Sequence, residues 1–104
     1  MPVLAIRDNP RFDRSMPDCV AAADATACGV ERAAVYAPVP PWAPLDVPPN
    51  VRFLDIADRV CGPDLCPAVI GNVLVYLDDN HLTASYAASM APLVEGDVLA
   101  ALSF

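Results

Sequence analysis

Three observations predict an α/β fold. Two short apolar runs, Val3-Leu4-Ala5-Ile6 and Val51-Arg52-Phe53-Leu54-Asp55-Ile56, have strand character. A Gly71-Asn72 pair separates two further β-prone runs, Ala68-Val69-Ile70 and Val73-Leu74-Val75-Tyr76. From Leu82 onward, apolar residues recur at helical spacing. At 104 residues the chain is one small domain or part of a larger one. Its core is modest, so covalent staples would help it.

Taken in order, Val3–Ile6 is a continuous apolar run without alternation, as in a strand covered on both faces. Asp8-Asn9-Pro10 ends it. A strand entered almost from the first residue suggests that the chain begins partway through a fold. Missing strands would leave one sheet edge uncovered, which favours self-association unless a partner covers it. Pro17-Asp18 opens a short helix through Ala23, with proline in the first turn, and Cys28-Gly29 closes that piece. Residues 38–50 form a proline-rich loop, with six prolines between Pro38 and Pro49 around Trp42. Proline fixes φ and lacks a donor, so this stretch is neither helix nor central strand. Trp42 is expected to pin it to the surface.

Val51–Ile56 is the second strand. The two runs flanking Gly71-Asn72 form a hairpin, because both residues tolerate the positive φ of a two-residue turn. The last segment places Leu82, Tyr86, Met90, Leu93, Val94, Val98, Ala101 and Leu102 on a helical stripe that packs against a sheet. Thr83 or Asn80 can cap it; Pro92 should kink it, and Gly96-Asp97 should divide it.

Cys19 and Cys28, then Cys61 and Cys66, form two local pairs in loop-like sequence. They read as two short-range disulfides in an oxidising compartment. A four-thiolate zinc site, whose knuckles space cysteines more closely, and free buried thiols are the alternatives.

The net charge is −7 and the pI near 4.2, with six arginines and no lysine. Phosphate binding needs clustered cations, so this balance argues against nucleic acid as a partner and against docking on anionic lipid. No apolar run approaches the roughly 20 residues that span a bilayer. The N-terminus lacks the basic start and long apolar middle of a signal peptide.

Chemistry concentrates where the apolar run Val73–Leu77 ends in Asp78-Asp79-Asn80-His81. His81 is the chain's single histidine, three residues after Asp78. That spacing brings a carboxylate within reach of an imidazole. The carboxylate can fix the tautomer and favour the imidazolium, leaving the other nitrogen as a general base. A histidine merely satisfied in a turn is the competing reading. Asp79 and Asn80 are expected to face solvent or to cap.

Leu77-Asp78-Asp79-Asn80-His81-Leu82-Thr83 resembles the last conserved block of the SGNH (GDSL-like) esterases, where a catalytic Asp-x-x-His precedes the final helix. Arg7-Asp8-Asn9-Pro10, Pro17-Asp18-Cys19, Cys61…Cys66-Pro67, Val75-Tyr76-Leu77-Asp78 and His81-Leu82-Thr83 together look like the SGNH domain fused to membrane acyltransferases of acyltransferase family 3. The resemblance implies a flavodoxin-like three-layer α/β/α fold, of which residues 1–104 are one truncated domain. It implies a location outside the cytoplasm, an acyl donor and a cell-envelope glycan acceptor as substrates, and no cofactor or resident metal. It makes His81 the base and Asp78 its orienting partner.

The family's nucleophilic serine sits in a Gly-Asp-Ser block, and this chain has none. Ser15, Ser85, Ser89 and Ser103 lack a glycine-flanked nucleophile turn, and the family's glycine and asparagine blocks are also absent. The expectation is therefore a C-terminal segment that supplies the Asp-His part of a Ser-His-Asp triad and is inactive alone. Its partner would be the missing N-terminal half or a membrane acyltransferase domain. A split esterase completed by a second chain, or a non-enzymatic exported module stapled by disulfides, are the alternatives.

Overall fold

The structure, a computed structural model, describes residues 1–103. Its frame is a parallel strand pair. β1 (Val3–Ile6) lies beside β3 (Val51–Leu54), with Val3 opposite Val51 and Ile6 opposite Leu54. Parallel strands require a long crossover. Here it carries α1 (Met16–Ala22), β2 (Val30–Glu31), α2 (Arg32–Val35) and the proline-rich loop. Just past the two strands, Arg7 forms an ion pair with Asp55 at 2.9 Å and lies 4.5 Å above the Tyr36 ring. That buried guanidinium closes the C-terminal end of the pair.

The remaining strands form two more small sheets. β2 pairs antiparallel with β4 (Leu65–Cys66). β5 (Val69–Ile70) and β6 (Val73–Leu74) form the expected hairpin, and Gly71 and Asn72 take φ values of 58° and 62° at its turn. The α/β character expected from the sequence is thus present as three two-stranded sheets and a C-terminal helix. Two-residue strands carry no readable period, so β2 and β4 were not legible. Nor were the single-turn helices α2 and α3 (Ala57–Val60).

The core lies under the hairpin and the stapled loops. Tyr76 and Val75 are fully buried at its centre, packed with Phe12, Met16, Val60 and Tyr86. Phe12 meets the Tyr76 ring edge-on at 4.7 Å. Cys19–Cys28 and Cys61–Cys66 are both disulfides, and Cys28, Cys61 and Cys66 are buried within this core. All four sulfurs are therefore bonded in pairs, and the zinc and free-thiol alternatives fall. In contrast, β1 exposes Val3 and Ile6 and pairs only with β3 among the described residues. Parallel strands are normally covered on both faces.

Trp42 stacks on Phe53 of β3 at 4.5 Å with the rings 9° from parallel, which pins the proline-rich loop as expected. No helix or strand forms between residues 38 and 50.

α4 (Ala84–Ala101) corrects one expectation: it runs unbroken through Pro92 and Gly96. Proline removes one amide donor there, but contacts on either side hold the helix to α3. The Tyr86 hydroxyl donates to the Arg59 carbonyl, and the Arg59 guanidinium clamps Asp97 through contacts of 2.9 to 3.2 Å. The stripe is also buried only in part. Tyr86 is buried and Leu82 and Met90 pack on the core, whereas Leu93 and Leu102 are exposed. No described helix is long and apolar enough to cross a membrane.

Candidate active site

Asp78 and His81 lie in a loop between the hairpin and α4, and the chain pinches this loop shut. Tyr76 and Leu82 form an isolated antiparallel bridge, and the Leu77 amide donates to the His81 carbonyl at 2.7 Å. Thr83 caps α4 by accepting from the Tyr86 amide at 3.1 Å. Its hydroxyl also donates to the Leu74 carbonyl at 2.6 Å, tying the helix start to β6. A β-branched residue with a hydroxyl suits that extended cap position. Thr83 is thus the cap, and Asn80 serves elsewhere.

Within the loop, the Asp78 carboxylate does two jobs. Oδ1 accepts from the backbone amides of Asn80 at 2.9 Å and His81 at 2.7 Å, the local turn that aspartate favours. Oδ2 lies 2.7 Å from His81 Nδ1. These bonds favour the ionised carboxylate. The His81 amide contributes most, then the Asn80 amide, then the imidazole, and they pull the pKa of Asp78 from its ordinary 3.8 down to about 2.

A proton on Nδ1 donates to Asp78 and leaves the Nε2 lone pair free. The His81 side chain is 68% exposed, so that lone pair is open to a reacting group. The arrangement can orient an imidazole and stabilise its imidazolium, as required of a general base and acid.

A second layer comes from the segment after β1, some 70 residues away in sequence. The Asn9 side chain donates to the Asn80 carbonyl at 3.2 Å. The Phe12 amide donates to the Asp79 carbonyl at 2.9 Å, and the Met16 amide to the Asp78 carbonyl at 3.2 Å. With the Asn80 amide oriented to satisfy its neighbours, Nδ2 donates to Asp79 at 2.8 Å and Oδ1 accepts from Arg11 at 3.1 Å. Asp79 and Asn80 are therefore half-buried members of a network rather than solvent-facing residues. No local pattern marked Asn9 and Arg11 as its outer members. Asp8-Asn9-Pro10 reads as a strand ending and as part of a family-like block, and neither reading points to Asn80.

The serines do not join this site. Ser15 caps α1, accepting from the Asp18 amide at 3.4 Å. Ser89 donates to the Tyr86 carbonyl and Ser103 to the Leu99 carbonyl, while Ser85 lies in the first turn of α4. No described hydrogen bond joins a serine to His81. Asp78 and His81 are thus paired with each other, with no serine hydroxyl among their described hydrogen-bond partners.

Comparison with known proteins gives a family. The model described as an SGNH domain (fused to AT3 domains) matches residues 1–96. No curated protein and no solved structure matches the chain.

Proposed function

The chain belongs to the family of SGNH domains fused to AT3 domains, and from that premise we propose that it supplies the Asp78–His81 part of a Ser-His-Asp triad for acyl transfer to cell-envelope glycans. An acyltransferase-associated, esterase-like module is what membership itself gives. One observation carries the step to specific residues: the Asp78 carboxylate 2.7 Å from His81 Nδ1, in the Asp-x-x-His block that precedes the last helix.

In the proposed reaction, His81 Nε2 takes the proton of a serine hydroxyl as its oxygen attacks the acyl carbonyl of the donor. Asp78 holds the resulting imidazolium. Collapse of the tetrahedral intermediate expels the donor's leaving group, which takes the proton from His81, and an acyl-serine ester remains. A sugar hydroxyl then gives its proton to His81 and attacks that ester. The products are an O-acylated glycan and the regenerated serine, which recovers the proton.

The serine is supplied from outside these 104 residues, either by an N-terminal half of the same domain or by a second chain. β1 and β3 then belong to the central sheet of a three-layer α/β/α fold, consistent with the open edge and exposed residues of β1. The domain works outside the cytoplasm beside a membrane acyltransferase partner; the two disulfides favour that compartment.

Purified chain assayed with a chromogenic acetate ester, with His81→Ala as control, tests the reading. No His81-dependent turnover is expected from the chain alone. Losing a triad nucleophile costs on the order of a millionfold in rate. Clear turnover that vanishes in His81→Ala would show that the nucleophile lies within these residues after all.

A further inference from the structure

Two peptide groups carry the backbone bonds that orient the Asp78 carboxylate, and each is held at both of its ends. The Asp79–Asn80 peptide donates its N–H to Asp78 Oδ1 and accepts the Phe12 amide at its carbonyl. The Asn80–His81 peptide donates its N–H to the same Oδ1 and accepts the Asn9 side chain at its carbonyl. We propose that Asn9 is a positioning residue for the base. By donating to the Asn80 carbonyl it fixes the Asn80–His81 peptide, and through that peptide both Asp78 and the His81 ring. The part the ring plays in acyl transfer rests on the reading above.

Hydrogen bonds at the two ends of one peptide group polarise each other. The Asn9 bond, at 3.2 Å, makes the His81 N–H a better donor to Asp78 Oδ1, 2.7 Å away. It also keeps the peptide from rotating. Rotation would take the His81 amide off Oδ1, and the carboxylate would lose the alignment that sets Oδ2 2.7 Å from Nδ1. Phe12 and Met16 reach this loop's carbonyls with backbone amides, which any residue but proline supplies. Asn9 reaches it with a side chain, so here the residue type matters.

Asn9 is itself held rigidly. Its amide donates to Asp8 Oδ1 at 2.9 Å, and the Tyr36 hydroxyl donates to the Asp8 carbonyl at 2.7 Å. The peptide before Asn9 is therefore also fixed at both ends. Pro10 follows and is fully buried, and a residue that precedes proline is restricted to extended backbone. The neighbouring charges do not duplicate this role. Asp79 and Arg11 meet the Asn80 side chain at 2.8 and 3.1 Å, and no described hydrogen bond joins either side chain to the Asn80–His81 peptide.

The test is nuclear magnetic resonance on the whole isotope-labelled chain. In the unaltered protein, a coupling across the hydrogen bond should link Asn9 Nδ2 to the Asn80 carbonyl carbon. Asn9→Leu removes the donor and keeps similar bulk. It should move the His81 amide proton to lower frequency and raise the Asp78 carboxyl midpoint from about 2 toward 3.8. The His81 ring nitrogens should then report a mixture of tautomers, while the Phe12 and Tyr76 ring resonances stay in place. A merely structural asparagine would lower the thermal midpoint and leave the amide, the carboxyl midpoint and the tautomer alone. In a completed domain, Asn9→Leu should lower kcat about tenfold with KM unchanged, the effect of one hydrogen bond.

Absence of the cross-bond coupling would overturn the proposal, and that measurement needs no variant. A folded Asn9→Leu chain with the His81 amide and the Asp78 midpoint at their original values would overturn it too. Neither readout uses an ester, so the proposal and the triad reading fail separately. Turnover by a completed domain with kcat indifferent to Asn9→Leu would remove the positioning role alone. Coupling and shifts as expected, without turnover by the completed domain, would uphold Asn9 as the support of the Asp78–His81 pair and remove the acyl-transfer reading.

Discussion

Asp78 grips His81 twice: Oδ1 accepts its backbone amide and Oδ2 faces its Nδ1, both at 2.7 Å. One carboxylate thus folds the loop and orients the ring. The ring's placement is therefore coupled to the charge of Asp78, and the pH dependence has a definite sign. The folded pKa of Asp78 is depressed to about 2 from 3.8. Its contribution is complete above the unfolded value and is lost as pH falls through the folded one. The Asp78 carboxyl resonance, and with it the His81 amide, should undergo a transition as pH falls through about 2 rather than near 3.8. Asp78→Asn should abolish that low-pH transition; its persistence would show that another group organises the loop.

Tyr76 presents a second consequence. Its hydroxyl is fully buried and has no hydrogen-bond partner among the described residues, and burial pushes its phenol pKa upward. An unpaired buried hydroxyl costs roughly 1–3 kcal/mol. Tyr76→Phe should therefore be neutral or stabilising by about 1 kcal/mol in urea melts. A loss of more than about 1 kcal/mol would mean that the hydroxyl is satisfied.

Tyr86 should behave in the opposite way. Its hydroxyl donates to the Arg59 carbonyl, and Arg59 in turn clamps Asp97. Tyr86→Phe leaves that carbonyl without its donor and should cost about 1–2 kcal/mol. Asp97→Ala should cost less, about 0.5–1 kcal/mol, because the ion pair is about a third exposed. Chemical denaturation of both variants checks the order.

The disulfides close short loops, with sequence separations of nine and five residues. Each should contribute about 2–3 kcal/mol, mainly by restricting the unfolded chain. Replacing either pair by serine should lower the thermal midpoint by several degrees or more. The Cys61–Cys66 pair should cost more, because both of its sulfurs lie in the core. Equal midpoints with and without reductant would contradict this.

Features set by neighbouring residues were legible in the sequence. Gly71 and Asn72 announced the hairpin because they tolerate the positive φ that its turn needs. The cysteine pairs announced their partners because the loops are too short to leave other choices nearby. Asp78 and His81 were legible as a pair because three residues of chain bring them together. Features set by distant residues were not. Gly96-Asp97 suggested a divided helix, since local propensity contains no term for the Arg59–Asp97 clamp. Asn9 and Arg11 reach Asn80 across about 70 residues of chain, and a folded core had to bring them there.

We propose Asp78 and His81 as the base end of a serine acyl-transfer triad. This assignment is tested most directly by joining a Gly-Asp-Ser half from a member of the same family ahead of Met1 and measuring hydrolysis of a chromogenic acetate ester. The joined domain should turn over the ester. His81→Ala should lower kcat on the order of a millionfold and Asp78→Ala about ten-thousandfold, as in a working triad. Turnover by the joined domain that His81→Ala leaves unchanged would contradict the claim.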